Sequence, residues 1–209
     1  MATRGGKGEM MGMFHEGNRE LQDRFDGRRL ADSLERNRRH ATFTEADIAF
    51  IQGAPFFFLA TAHGETVDCS FKGGMPGFVK VTGPNTLSFP DYDGNSMYKS
   101  LGNIMKGGNV GLLFIKFDGT GERMRINGTA VLDDTPARVA ECEGAKLLVD
   151  VTARHIFPNC PRYIPTMDGL EISANVPRPG HEPPEAAWKF RDYAKDHLPE
   201  RDRKRLFGD

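Results

Sequence analysis

Residues 69–103 read CSFKGGMPGFVKVTGPNTLSFPDYDGNSMYKSLGN, and the order of chemistry along this stretch decides the fold. A strand-like run closes on Gly73-Gly74-Met75-Pro76-Gly77. Three glycines and a proline there let the backbone come close to something flat or bulky. On periodicity alone a plain β-turn with a bulge is the favoured reading. Residues 78–82 and 86–90 flank Gly83-Pro84-Asn85, the signature of a hairpin loop. The second of these strands leaves through Asp93-Gly94-Asn95 into a helix expected over residues 95–105, with Met97, Leu101, Ile104 and Met105 on its apolar side. The free amides of a helix start favour an anion. Asn95 at that start, with Lys99, Ser100 and Asn103 in the first turns, makes a setting for a phosphate held by one cation and several donors. A capped helix with a surface lysine accounts for the same residues, and Asp91 and Asp93 oppose a phosphate by charge.

Outward from this stretch, short apolar runs recur. Residues 55–62, 67–71, 110–117, 123–132 and 146–157 each predict a strand, with turns rich in glycine between them. Helices are expected over residues 19–40, from Thr44 with Asp47 completing its cap, and from Thr135-Pro136 to near Gly144. The proline-rich residues 177–184 lead to a C-terminal helix expected to contain Trp188 and Phe190. Many antiparallel strands and few helices predict a mainly β chain with α-helices, a small barrel with helices packed outside. The expected organisation is a flexible tail over 1–18, a helical extension over 19–54, the barrel domain over 55–176, and a linker with a helix over 177–209.

The chain has 209 residues, 38% hydrophobic and 27% charged, with a net charge of −1. That composition is globular, and no apolar run approaches the roughly 20 residues that span a bilayer. Near-neutral charge opposes a broad basic field for nucleic acid. Residues 19–40 carry seven arginines against five acids, which describes a solvated helix face. Three cysteines (Cys69, Cys142 and Cys160) supply neither a disulfide framework nor a zinc spacing, so each is expected as a buried structural thiol in a reducing cytoplasm. No metal site is expected, since Asp91, Asp93 and Asn95 lack the remainder of a calcium loop. Alternation in Arg123-Met124-Arg125-Ile126-Asn127-Gly128 puts Arg123, Arg125 and Asn127 on one face. Arg125 pairs with phosphate if that face turns to a site, and is an ordinary surface residue if it turns to water.

Taken together, Phe57-Phe58-Leu59-Ala60-Thr61-Ala62, residues 69–79, 89–104 and 110–117, and Arg125-Ile126-Asn127-Gly128 resemble the pyridoxamine 5′-phosphate oxidase-like, FMN-binding split-barrel family, in its oxidase-related branch. The resemblance covers residues 55–132 in the family's order. It implies an FMN-binding split β-barrel and a homodimer, with FMN in a cleft between subunits and a small-molecule substrate. The strand of Ser70, Phe71, Lys72 and Gly73 would run beside the flavin ring, Lys99 and Ser100 would meet the phosphate, and Asn103 would contact the flavin. Lys72 near the ring would stabilise an anionic reduced flavin. Hydride transfer by such a cofactor needs no side-chain acid or base, in keeping with the lack of a nucleophile–base pair. A non-catalytic flavin carrier or sensor on the same fold is the alternative. A haem- or deazaflavin-binding relative is another, with His155 as the haem ligand to watch. The oxidase's arginine-rich strand and its C-terminal Arg-Leu-His-Asp-Arg run are replaced here by Cys69-Ser70-Phe71-Lys72-Gly73-Gly74 and Arg203-Lys204-Arg205-Leu206-Phe207, so vitamin B6 oxidation is not implied. Asn159-Cys160-Pro161-Arg162-Tyr163 resembles a segment common in the branch and would approach the partner's flavin.

Overall fold

Strand alternation builds the core. In β5 (Asn109–Ile115) the inward residues Val110, Leu112 and Phe114 are buried, and in β6 (Arg123–Asp133) the inward Met124, Ile126 and Ala130 meet them. A computed structural model describes residues 12–160, 164–167, 169, 174–191, 195 and 198–208. The other strands are β1 (Phe56–His63), β2 (Thr66–Gly73), β3 (Lys80–Gly83), β4 (Thr86–Asp91) and β7 (Leu147–Pro158). All seven form one antiparallel sheet in the order β2-β1-β5-β6-β7-β4-β3. The sheet is not closed, and among the described residues β2 and β3 each have one edge without a strand partner. Phe57 lies fully buried at its centre, its ring 4.9 Å from Phe89, 5.0 Å from Phe114 and 6.0 Å from Phe78.

Six helices flank the sheet among the described residues: α1 (Glu16–Arg24), α2 (Arg28–Arg38), α3 (Glu45–Gly53), α4 (Lys99–Gly107), the single turn α5 (Pro136–Val139) and α6 (Glu200–Phe207). The cap expected at Thr44 is present: its hydroxyl accepts from the Asp47 amide at 3.2 Å, while Asp47 accepts from the Thr44 amide at 2.8 Å. Asp47 also meets His40 Nε2 at 2.7 Å, and His40 bridges to Ile156, so α3 is tied to β7. From α4, Leu101 and Ile104 complete the core.

Four helix expectations need correction. Residues 19–40 form two helices, because Asp26 adopts a left-handed backbone (φ 51°) and the Gly27 amide turns back to the Gln22 carbonyl at 2.6 Å. Arg19 and Asp32, 2.6 Å apart, hold the two against each other, and α1 begins at Glu16 on a His15 cap. The helix expected from Asn95 begins only at Lys99, since Ser96 (φ 61°) and Tyr98 (φ 50°) are left-handed, a conformation no α-helix of L-residues continues through. From Thr135 only one turn forms. At the C-terminus, Trp188 and Phe190 lie in a 3-10 turn (Ala187–Phe190), and the helix α6 is a separate element starting after Pro199. The rings of Phe190 and Phe207, 5.8 Å apart, join the two.

Candidate functional site

Where β4 ends, the chain swings back towards the unpaired edge of β2, and between them lies a cleft of about 530 Å³. Residues at positions 68, 70 and 72 share one face of β2, so Asp68, Ser70 and Lys72 line one side together. Asp91 and residues 92–98 form the opposite side, and Lys99 and Ser100 open α4 at the end. The bend that aims α4 here is held by Asn95, whose side chain accepts from the Met97 amide at 3.0 Å.

Charges in the cleft are paired. Lys72 Nζ meets Asp91 at 3.3 Å, and Lys99 Nζ meets Asp68 at 3.4 Å. Ser100 Oγ donates to Asp68 at 2.5 Å and lies 2.9 Å from Ser70 Oγ. Lys146 stacks its ammonium 5.0 Å from the Tyr98 ring and stands 3.8 Å from Asp93. Asp93 also takes a 2.7 Å hydrogen bond from Lys189, whose side chain is only 3% exposed. Partial burial opposes ionisation of Asp93, but the Lys189 bond and the charges of Lys189, Lys146 and Arg201 outweigh it and hold the carboxyl below its ordinary range. The C-terminal segment is thereby fastened to the cleft wall, and Val176 joins the lining.

Of the residues the sequence nominates, Ser70, Phe71, Lys72, Gly73, Asn95, Lys99 and Ser100 come together in this cleft. Asn103 and Arg125 do not line it. Asn103 donates to Thr61 at 3.2 Å and accepts from Thr66 at 3.0 Å, pinning α4 to the β1–β2 hairpin. Arg125 lies exposed on β6 in mid-sheet, opposite Leu113 and Phe157. Within the described chain, the close approach at Gly73 and Gly74 is made by its own rings: a Cβ would stand 2.8 Å from Phe71 and 2.5 Å from Phe78. The cysteines also differ from expectation. Cys69 is exposed because it alternates with Asp68 and Ser70 onto the outer face opposite Ala60; Cys160 is exposed just past β7, and Cys142 is half-buried. His155, outside the cleft lining, receives Arg39 at 3.0 Å on Nδ1; burial, then the Arg39 and Arg154 charges, lower its proton affinity. Of Asn159-Cys160-Pro161-Arg162-Tyr163, the last three positions lie outside the described residues.

Asp68 was legible by alternation from Ser70 and Lys72, yet the sequence did not single it out. Tyr98, Lys146 and Lys189 had no local signal, because the tertiary fold brings Tyr98 and Lys146 to the cleft lining and Lys189, behind that lining, to Asp93. Among the described residues no cluster of histidine, cysteine and acids is arranged to hold a metal, and no helix is long and apolar enough to cross a membrane.

An open antiparallel sheet with flanking helices and a polar cleft along its free edge defines a split-barrel protein. The chain belongs to the pyridoxamine 5′-phosphate oxidase family, whose model matches residues 43–174. Among curated proteins no relative is found. Solved structures similar in part include Rv2991, a conserved protein of Mycobacterium tuberculosis, at 14% identity over 65% of this chain and 98% of that one, with a TM-score of 0.46. HupZ of Group A Streptococcus matches at 14% identity over 56% of this chain and 93% of its own, with a TM-score of 0.45. An FAD-binding protein of Mycobacterium smegmatis matches at 16% identity over 57% and 95%, with a TM-score of 0.40.

Proposed function

We propose that this protein binds FMN in the cleft beside β2 and acts, as a homodimer, as an FMN-dependent oxidoreductase on a small molecule. The observation that carries the proposal is the convergence of Lys99, Ser100, Ser70 and Lys72 on one cleft beside an unpaired strand edge. The donor set fits the cofactor. A cleft of about 530 Å³ lies in the range of small-molecule sites. Lys99 and the serine hydroxyls offer a cation and donors to a phosphate. The free backbone groups of β2 offer donors and acceptors to a flat heteroaromatic rim, and Lys72 on the same strand supplies a cation to tune its charge. When bound, FMN brings hydride and electron transfer in its own ring system, leaving the chain to hold, orient and tune it.

The homodimer is supported by the outer face of the same strands. Val67 is 71% and Phe71 61% exposed, with Ala60 and Cys69 exposed between them. An apolar sheet face of this kind beside a ligand cleft is an association surface, and a second copy of the chain is its occupant here.

The test is titration of purified protein with FMN and with riboflavin, followed by flavin fluorescence, together with its mass by light scattering. Lys99→Ala is expected to weaken FMN by about ten- to a hundredfold, the worth of a hydrogen bond to a charged group, and riboflavin by far less. Equal losses for the two flavins would remove Lys99 from phosphate binding, and a protein that takes up neither flavin would end the proposal.

A further inference from the structure

A chain of two hydroxyls and one carboxylate runs along the cleft floor. Ser100 Oγ stands 2.5 Å from one oxygen of Asp68 and 2.9 Å from Ser70 Oγ. A hydroxyl has a single hydrogen, and an ionised carboxylate only accepts. Ser100 therefore gives its hydrogen to Asp68 and meets Ser70 as an acceptor. The hydrogen of Ser70 is in turn given to Ser100. Neither serine has a hydrogen left for an incoming anion. Lys99 is also engaged, its Nζ 3.4 Å from the other oxygen of Asp68. The Asp68 side chain is 16% exposed and Ser100 only 5%, so water does little to screen the bond between them, while Lys99, 58% exposed, stays open to solvent and to a ligand.

We propose that Asp68 is the residue that sets the cleft's selectivity for the anionic end of its ligand. It holds the hydrogen of Ser100 directly, orders that of Ser70 through Ser100, and engages part of the charge of Lys99, and a phosphate monoester seats only by taking these over. The inference rests on the proposal of a flavin in this cleft and adds to it a residue that works against the phosphate. When the phosphate arrives, Ser100 and Ser70 rotate their hydrogens towards it, and Asp68 loses its hydrogen bond while keeping a negative charge close to the new one. A ligand with the same ring system and no phosphate meets none of this opposition. The selectivity for phosphate is then the difference between the pull of Lys99 with the two serines and the push of Asp68.

The experiment measures FMN and riboflavin affinities, by fluorescence titration, for the wild-type protein, Asp68→Asn and Asp68→Ser. Both substitutions remove the charge; Asp68→Asn leaves Ser100 only a neutral, weaker acceptor, and Asp68→Ser shortens the side chain away from it. Each is expected to tighten FMN on the order of tenfold, about one charge-assisted hydrogen bond, with riboflavin unchanged. Two chemically different neutral replacements guard against a folding defect in one, and each is checked for native thermal unfolding. If FMN weakens, or both flavins shift together, Asp68 does not oppose the phosphate and this inference falls while flavin binding stands. If the wild type binds neither flavin, both fall.

Discussion

Gly128→Ala is expected to destabilise the protein by about 3 kcal/mol or more, because among the described glycines an added Cβ meets its closest contact there. Gly128 sits at the irregularity in the β6–β7 ladder, where the register shifts after Asn127. A Cβ there would stand 2.1 Å from the Thr152 carbonyl oxygen, 2.9 Å from its carbon and 3.1 Å from the Ala153 Cα. These are backbone atoms of the neighbouring strand, so no side chain can swing away. Relief requires β6 and β7 to separate, and they form the longest pairing in the sheet. Gly102→Ala is the natural control. Gly102 lies exposed in α4, and a Cβ added there would meet nothing within 4 Å. Alanine in a helix interior is favoured over glycine by about 0.5–1 kcal/mol. The two substitutions should move a urea midpoint in opposite directions. A Gly128→Ala protein as stable as the wild type would mean that β6 and β7 do not pack as closely as described.

Lys189→Met is expected to release the C-terminal segment from the cleft wall. Lys189 donates to Asp93 at 2.7 Å and to Asp202 at 3.1 Å, and the Asp202 side chain is only 11% exposed. Removing the cation leaves a buried carboxylate facing Arg201 at 3.7 Å and Arg205 at 3.9 Å. Breaking a buried pair from one side costs up to about 3 kcal/mol, less here by what the two arginines still supply, and that loss falls on the bonds that join the segment to Asp93. Hydrogen exchange over residues 187–191 and 199–208 should accelerate in the variant, while exchange in β5 and β6 stays slow. If those residues keep wild-type protection, the Lys189 cluster is not what fastens them.

The same cluster fixes the pH range in which the segment stays docked. Asp93 has its proton affinity lowered on folding, so its contribution is complete above the unfolded value near 3.8 and is lost as pH falls through the lower folded value. Burial opposes the charge on Lys189, but the bonds to Asp93 and Asp202 outweigh it and raise its affinity above 10.5. Its contribution is therefore complete below 10.5 and lost as pH rises through the higher folded value. Wild-type protection over residues 199–208 should thus hold across the neutral range and fail first at strongly acidic or strongly alkaline pH.

What could be read from the sequence was local. Thr44 and Asp47 announce their cap because both partners lie within one turn, and β5 and β6 announce themselves because alternation is a property of a single strand. Ser70, Lys72, Lys99 and Ser100 were legible because each lies close to a break between elements where the backbone must turn. Interruptions made by unusual backbone were not. Asp26, Ser96 and Tyr98 are left-handed without being glycine, and no pattern of side-chain types marks them. The glycines at 73 and 74 were noticed correctly as points of close approach, but the bodies approaching are Phe71 and Phe78. Lys189 was one lysine in a run of mixed charges. Its burial depends on Asp93 and Asp202, and Asp93 is nearly a hundred positions away in the chain, beyond the reach of any window of sequence.

The unpaired edge of β2 has a consequence for the protein as a material. A bare strand edge is a template on which another chain can add a strand, the first step towards insoluble aggregates. Lys72 in the strand and the twin glycines at its end blunt that edge, yet a seated flavin would cover it far better. On the proposed function, cofactor loading would double as protection against self-association. Protein stripped of flavin should scatter more light on storage than the same protein reloaded, and a lack of difference would show that Lys72 and the glycines suffice.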